Sequence, residues 1–140
     1  MRALLLLTLF FGLTACASAS KRPVDEVSSV DAKSLSLDVA AYVAGELPPA
    51  SSNITIIPSA LPSTNLDSAL AHALRDRGFA VFDGTPADPA GHRLSAAADP
   101  FDGGYILRLE LDGNLITRLY GRTASADLEP ASVFAKRTAP

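Results

Sequence analysis

The chain of 140 residues has little of the chemistry on which many protein classes depend. Its single cysteine excludes an internal disulfide and a multi-cysteine metal site, so the core must be held by packing alone. It has no tryptophan. It also lacks a basic block, because 12 Lys and Arg are outnumbered by 15 Asp and Glu. This balance excludes the electrostatic pattern typical of a nucleic-acid-binding protein.

The familiar catalytic motifs are missing as well. The chain contains no G-x-S-x-G, H-E-x-x-H, P-loop or G-x-G-x-x-G pattern. Of its two histidines, His72 is predicted on the solvated face of a helix, and His92 in a loop with Asp88 and Asp99 near in sequence. Both are interpreted as surface residues. We therefore expect no enzyme, no metal or cofactor, and no small-molecule substrate.

An apolar run at residues 3–13 follows Arg2 near the start of the chain. It is shorter than the roughly 18 apolar residues of a membrane-spanning helix. A positive charge, a short apolar run and then small residues are typical of an export signal. A plain secretory signal and an uncleaved anchor are the alternatives to the interpretation that follows.

Residues 13–16, "LTAC", resemble the lipobox of bacterial lipoproteins. This resemblance implies an S-diacylglyceryl group on Cys16, cleavage between Ala15 and Cys16, and acylation of the new amine by a fatty acid such as palmitate. Two or more acyl chains hold a protein stably at a membrane. Ala17 stands where an Asp would resemble an inner-membrane retention signal. We expect a periplasm-facing protein anchored in the envelope, with the outer membrane favoured.

The predicted organisation is a signal peptide at residues 1–15, a flexible tether at 16–32 and one domain at 33–140. The tether mixes Ser, Ala and charges without a sustained apolar period. The alternative is that valines within it dock on the domain: Val24, Val27 and Val30.

Apolar residues at spacings of four predict a first helix from Ser34, which ends before Pro48. A β-branched strand follows within residues 53–60. The next helix, 66–77, has a leucine stripe, a cap at Thr64 or Asn65, and Gly78 in position to end it.

A strand at 80–82 completes a β-α-β crossover, so its two strands should be parallel. Residues 93–98 are a weak strand, and alternating residues in 104–122 predict a hairpin with a turn at Asp112-Gly113 or Gly113-Asn114. A last short strand is predicted within 131–137. The fold class is therefore a small α+β domain: a mixed sheet with two helices packed on one face.

Arg118, Tyr120 and Arg122 alternate along one face of the predicted hairpin. Two interpretations stay open for this candidate contact patch. It either contacts a partner protein or is simply the solvated face of the sheet.

The order of several segments resembles the TrbH family of conjugal transfer lipoproteins, encoded among the mating-pair-formation genes of plasmids. These segments are the lipobox, "LDSALAHALRDRGFAV", "GYILRLELDGNLITRLYGR" and a short basic C-terminal strand. The likeness covers residues 34–137 of the domain. One departure is that Phe134 stands where the family leads us to expect a tryptophan.

The resemblance implies a component of a type IV secretion apparatus that passes DNA to a recipient cell, with Cys16 as the only residue of defined role. We expect a lipid-anchored structural component that contacts other envelope proteins of the apparatus and not the nucleic acid itself. Exposed sheet edges, at the hairpin or at Val133–Lys136, could pair with a partner strand. The alternative is a periplasm-facing envelope lipoprotein that acts as a binding module unrelated to conjugation.

Overall fold

The computed structural model describes residues 26–60, 63–84 and 89–138. Within these ranges the chain forms two α-helices, α1 (Ser29–Glu46) and α2 (Thr64–Asp76), a 3-10 turn (Pro49–Ser51) and seven strands. The strands are β1 (Asn53–Ile56), β2 (Ala80–Asp83), β3 (His92–Phe101), β4 (Gly104–Leu111), β5 (Asn114–Arg122), β6 (Leu128–Pro130) and β7 (Ala135–Thr138).

The strands form one mixed sheet in the order β2-β1-β3-β4-β5-β6, and β7 also pairs with β5. β1 is parallel to both β2 and β3, whereas the remaining pairs are antiparallel. The predicted crossover from β1 through α2 to β2 and the predicted hairpin of β4 and β5 are confirmed, as is the α+β fold class.

Helix α1 begins five residues before the predicted start, because Ser28 caps it. The Ser28 hydroxyl oxygen accepts a hydrogen bond from the backbone N–H of Asp31 at 3.1 Å. Polar residues in this first turn hide the apolar period from the sequence pattern. They do not prevent the helix, because Ala32 already belongs to the buried core.

The described part of the predicted tether, residues 26–32, is therefore folded. Val27 is buried, and its carbonyl oxygen accepts a hydrogen bond from Asn65 Nδ2 at 2.9 Å. Val30, in contrast, is 75% exposed. The valine-docking alternative thus holds for Val27 and not for Val30. The rest of the tether, with Val24, and the predicted signal peptide lie outside the described residues.

Helix α2 matches its predicted pattern, with a different cap. The side chain of Ser63, one residue before the predicted candidates, accepts from the N–H of Leu66 at 3.3 Å. Gly78 takes a positive φ of 91°, and the N–H of Phe79 bonds to the carbonyl of Leu74. This is the left-handed ending that favours glycine after a helix.

Two Asp-Gly turns define the antiparallel part of the sheet. The predicted turn forms at Asp112-Gly113, and an equivalent turn at Asp102-Gly103 joins β3 to β4. All four residues have positive φ, as a tight primed turn requires. The predicted weak strand at 93–98 is therefore a full hairpin partner, β3, extending to Phe101.

One face of the sheet packs against both helices and forms the core. Its largest fully buried side chains are Leu35, Val39 and Val43 of α1, Leu66, Leu70 and Leu74 of α2, and Ile54, Leu94, Leu107, Leu109 and Ile116 of the sheet. The opposite face carries exposed charges and no helix among the described residues.

The C-terminal segment follows the outer edge of β5. β6 pairs with the end of β5 and β7 with its beginning. The predicted final strand is thus confirmed as β7, shifted toward the C-terminus, while β6 was not predicted. β6 contains Pro130, and proline is a poor strand former that is tolerated at sheet edges.

Candidate functional site

The three residues of the predicted contact patch lie on the face of β5 that packs against α1. They share this face with the fully buried Ile116, and Tyr120 itself is only 2% exposed. Their polar atoms meet an acidic stripe on the helix. We call this contact the α1 seam and define it by Asp31, Asp38, Tyr105, Arg118, Tyr120 and Arg122.

One end of the α1 seam is centred on the buried carboxylate of Asp31. Arg122 donates two hydrogen bonds to it, Nη2 to Oδ2 at 2.6 Å and Nη1 to Oδ1 at 3.1 Å. The hydroxyl of Tyr105 donates a third at 3.1 Å. Arg122 also donates to the carbonyl oxygens of Gly103 and Ala126. A paired, fully bonded carboxylate of this kind fixes both geometry and charge.

The other end is centred on Asp38, one helical heptad further along α1. Arg118 Nη1 donates to Asp38 Oδ2 at 2.8 Å, and the Tyr120 hydroxyl donates to the same oxygen. Arg118 also donates from Nε to the carbonyl of Ser132. Its guanidinium lies 4.4 Å from the ring centre of Phe134, in cation–π geometry.

The C-terminal strand continues the contact with α1. The rings of Phe134 and Tyr42 are 4.3 Å apart between centroids. Beyond them, Lys136 Nζ donates to Glu46 Oε2 at 2.5 Å. Phe134, which stands where a tryptophan was expected, therefore fills an aromatic position between the helix and Arg118.

The electrostatics of the α1 seam follow from these bonds. The hydrogen bonds from Arg122 hold the pKa of Asp31 below its ordinary value, against the opposing effect of burial. Burial, together with the bond to Asp38, raises the pKa of the Tyr120 hydroxyl. The bond to Glu46 raises the pKa of Lys136. At neutral pH the carboxylate of Asp31 is charged, and the phenol of Tyr120 keeps its proton.

The α1 seam gives Arg118, Tyr120 and Arg122 intramolecular partners that the sequence analysis missed. That these residues also contact a partner protein stays a prediction. The missed signal was on α1, where Asp31 and Asp38 are seven residues apart and so lie on one face of the helix.

The histidines occupy separate parts of the fold. His72 is exposed on α2 and lines a shallow groove with Asp67 and Asp83. His92 Nδ1 lies 2.7 Å from Asp112 Oδ2, at the turn between β4 and β5. No group of three potential metal ligands occurs in residues 26–60, 63–84 and 89–138. The expectation that the protein is not an enzyme stays a prediction.

The edge strands β2 and β7 differ in how far their backbone groups are covered by side chains. At the β2 edge, Arg75 Nη2 donates to the carbonyl oxygen of Val81 at 3.1 Å and lies 3.9 Å from Asp83. At the opposite edge, all four residues of β7 are exposed. A groove of about 230 Å³ runs beside β7 and is lined by Leu115, Thr117, Ala135, Lys136 and Arg137.

In the part of the chain that the structure describes, neither helix is both long and apolar enough to cross a membrane. Cys16 and the cleavage position after Ala15 lie outside the described residues. The site predicted at the lipobox therefore stays a prediction.

The architecture is that of a small two-layer α+β domain whose polar side chains serve mainly internal contacts. The family model described as conjugal transfer protein TrbH matches residues 14–138, nearly the whole chain. The chain therefore belongs to the TrbH family, and the resemblance found in its sequence is confirmed. Comparison with curated proteins and with solved structures gives no match.

Proposed function

We propose that this conjugal transfer protein is a lipid-anchored structural component of the envelope-spanning, mating-pair-formation apparatus. The observation that carries the proposal is the family match across residues 14–138, in a chain whose residues 13–16 resemble a lipobox that ends at its only cysteine. Acylation of Cys16 would supply the membrane attachment. The folded domain would then act by contacting other envelope proteins of the apparatus.

The attachment of the chain at Glu26 and Val27 supports a short distance between anchor and domain. Val27 is buried against the domain, and a Glu26 carboxylate oxygen accepts a hydrogen bond from the backbone N–H of Asn65. Ten residue steps separate Cys16 from Glu26, which span at most about 35 Å when extended. The domain would therefore work close to the surface of the membrane that holds the lipid.

The experiment compares Cys16→Ser with Ala17→Ser in cells that carry the transfer system. The first variant lacks the acceptor sulfur, while the second makes a similar change beside it. We expect the wild-type protein and Ala17→Ser to incorporate labelled palmitate and to show lipid-modified N-terminal peptides by mass spectrometry. Cys16→Ser should show neither and should reduce plasmid transfer.

An unmodified sulfhydryl at Cys16 of the wild-type protein would overturn the lipid anchor. Normal transfer by cells that lack this protein altogether would overturn the role in the apparatus. The two results are independent, so the anchor and the role are tested separately.

The proposed outer-membrane location has its own test. We expect Ala17→Asp to stay acylated but to move toward the inner-membrane fraction in a density gradient, because the change creates the retention-like pattern after the cysteine. An unchanged distribution of the variant and the wild-type protein, both already with the inner membrane, would contradict an outer-membrane location.

A further inference from the structure

We infer that the outer edge of β7 receives an extended, acidic segment of another protein as an additional strand of the sheet. Three observations carry this inference: an open backbone edge, a groove beside it and a cation, Arg137, that has no partner within the described part of the chain. The identity of the partner as a member of the transfer apparatus rests on the proposed function, whereas strand addition itself does not.

Among the described residues, no strand pairs with the outer side of β7. Its inner side pairs with β5, from Ala135 opposite Thr117 to Thr138 opposite Asn114. Within the residues that the structure describes, no hydrogen bond is found to the outward-facing backbone groups of β7. β7 contains no proline, and its pairing with β5 continues without a bulge over all four residues. Unpaired backbone donors and acceptors in a row are what an added strand binds.

The groove beside β7 provides a place for a side chain of the added strand. Leu115, Thr117, Ala135 and Arg137 lie on the face of the sheet away from the helices, as their pairing requires. Leu115 is 40% exposed there. Alternate residues of an added strand point to this face, and the one beside the small Ala135 can extend its side chain over Ala135 toward the groove.

The charge of the edge specifies acidic residues in the partner. Lys136 points toward the helices, where Glu46 holds its ammonium group. Arg137 points to the other face and has no ion pair or hydrogen bond among the described residues. Because opposite charges on neighbouring strands attract each other, a carboxylate beside Arg137 completes the pairing.

Pairing of β7 with β7 of a second copy is disfavoured in its central registers. Two β7 strands paired antiparallel about any centre within residues 136–137 place Lys136 or Arg137 of one copy opposite Lys136 or Arg137 of the other. Like charges directly opposite each other are destabilising. The β2 edge of another copy does not fit either, because Arg75 already covers the carbonyl of Val81.

The test places a photo-crosslinking amino acid at Thr138 of the full-length protein, in cells that make the transfer apparatus. We expect a crosslink to an extended segment of another protein, identified by sequencing the joined peptides and rich in Asp or Glu. Arg137→Glu should reduce its yield by about tenfold, because an attraction becomes a repulsion. Arg77→Glu makes the same charge change on the far side of the domain and should leave the yield unchanged.

Three outcomes would overturn the inference: no crosslink, a crosslink to a second copy of this chain, or a yield that Arg137→Glu does not change. Thermal unfolding of both purified variants checks that the domain remains folded. Lipid labelling of Cys16 and plasmid transfer are measured in the same cells. Loss of the proposed function would appear there, independently of whether the β7 edge takes a strand.

Discussion

Each of the two helices carries an aspartate close to its N-terminus, and the pKa values of the two carboxyl groups are shifted in opposite directions. Asp31 of α1 is bonded by Arg122 and Tyr105, and its pKa is lowered. Asp67 of α2 has a buried oxygen, Oδ1, with no partner among the described residues, and burial raises its pKa. A helix N-terminus favours a negative charge in both cases. The difference therefore comes from what the sheet places opposite each helix.

The same contrast holds for the two helices as wholes. α2 presents three fully buried leucines to the core, Leu66, Leu70 and Leu74. α1 buries an apolar stripe too, but its flank toward β5 is held by the ion pairs of the α1 seam. We therefore expect α2 to depend on packing volume and α1 to depend additionally on ionisation.

The largest effect is expected on the α2 side. Leu70→Ala should lower the free energy of unfolding by about 2–5 kcal/mol, because it removes buried methyl groups and leaves a cavity. Leu37→Ala, at a half-exposed position of α1, should change it by less than about 0.5 kcal/mol. Denaturant unfolding of both variants measures the difference. Equal effects would contradict the assigned core.

A smaller loss is expected when the α1 seam is broken at Asp31. Asp31→Ala leaves Arg122 and Tyr105 without their acceptor, and should cost about 1–3 kcal/mol, since Arg122 recovers part of its hydration. The exposed Asp76 is the control, and Asp76→Ala should change stability by less than about 0.5 kcal/mol. A double-mutant cycle with Arg122→Ala should show that the two losses are not additive; additive losses would contradict the pairing.

At the Asp38 end, Tyr120→Phe keeps the buried ring and removes the hydroxyl that donates to Asp38. The expected loss is about 0.5–1.5 kcal/mol, the net contribution of one hydrogen bond. Tyr42→Phe is the matched control, because no hydrogen bond of the Tyr42 hydroxyl is found among the described residues. Thermal unfolding should therefore separate the two variants.

The smallest expected change is a gain. Asp67→Asn removes a charge that burial disfavours and should raise stability at neutral pH by up to about 1 kcal/mol. Because the folded-state pKa of Asp67 is raised, its penalty appears as the pH rises from its ordinary value of 3.8 through that raised pKa. The variant should lose this part of the pH dependence. A loss of stability at neutral pH would contradict the prediction.

The pH profile of Asp31 has the opposite sign. Its folded-state pKa is lowered, so its stabilisation is complete above the ordinary value of 3.8 and is lost as the pH falls through the lowered pKa. Unfolding measured between about pH 2 and pH 6 should show both effects. Asp31→Ala should weaken the fall in stability that occurs as the pH drops below 3.8. Asp67→Asn should weaken the fall in stability that occurs as the pH rises above 3.8.

The comparison also explains which parts of the fold the sequence could predict. The leucine stripe of α2 and the Asp-Gly hairpin are local patterns, and each has one consistent interpretation. The early start of α1 was missed because its first turn is polar: the local Ser28 cap begins it, and Tyr105 and Arg122, distant in the chain, bond its Asp31. Contacts between residues that are distant in the chain produce no periodic pattern in the sequence.

For a related reason, the sequence could not show which face of β5 packs against the helices. Both of its faces alternate apolar with polar residues: Leu115 and Leu119 on one face, Ile116 and Tyr120 on the other. The acidic stripe of α1 selects the second face, because it supplies acceptors for the arginines there. Pairing Asp31 with Arg122, 91 residues apart, requires the three-dimensional fold.

The entry of the chain at Val27 has a mechanical consequence. A pull from the N-terminal side would reach the domain at Glu26 and Val27, where hydrogen bonds to Asn65 link the two helix starts. The load would then pass through the first turn of α1 to the two hydrogen bonds that Arg122 donates to Asp31. Tension on the N-terminal side would thus be shared among hydrogen bonds of α1, α2 and β5.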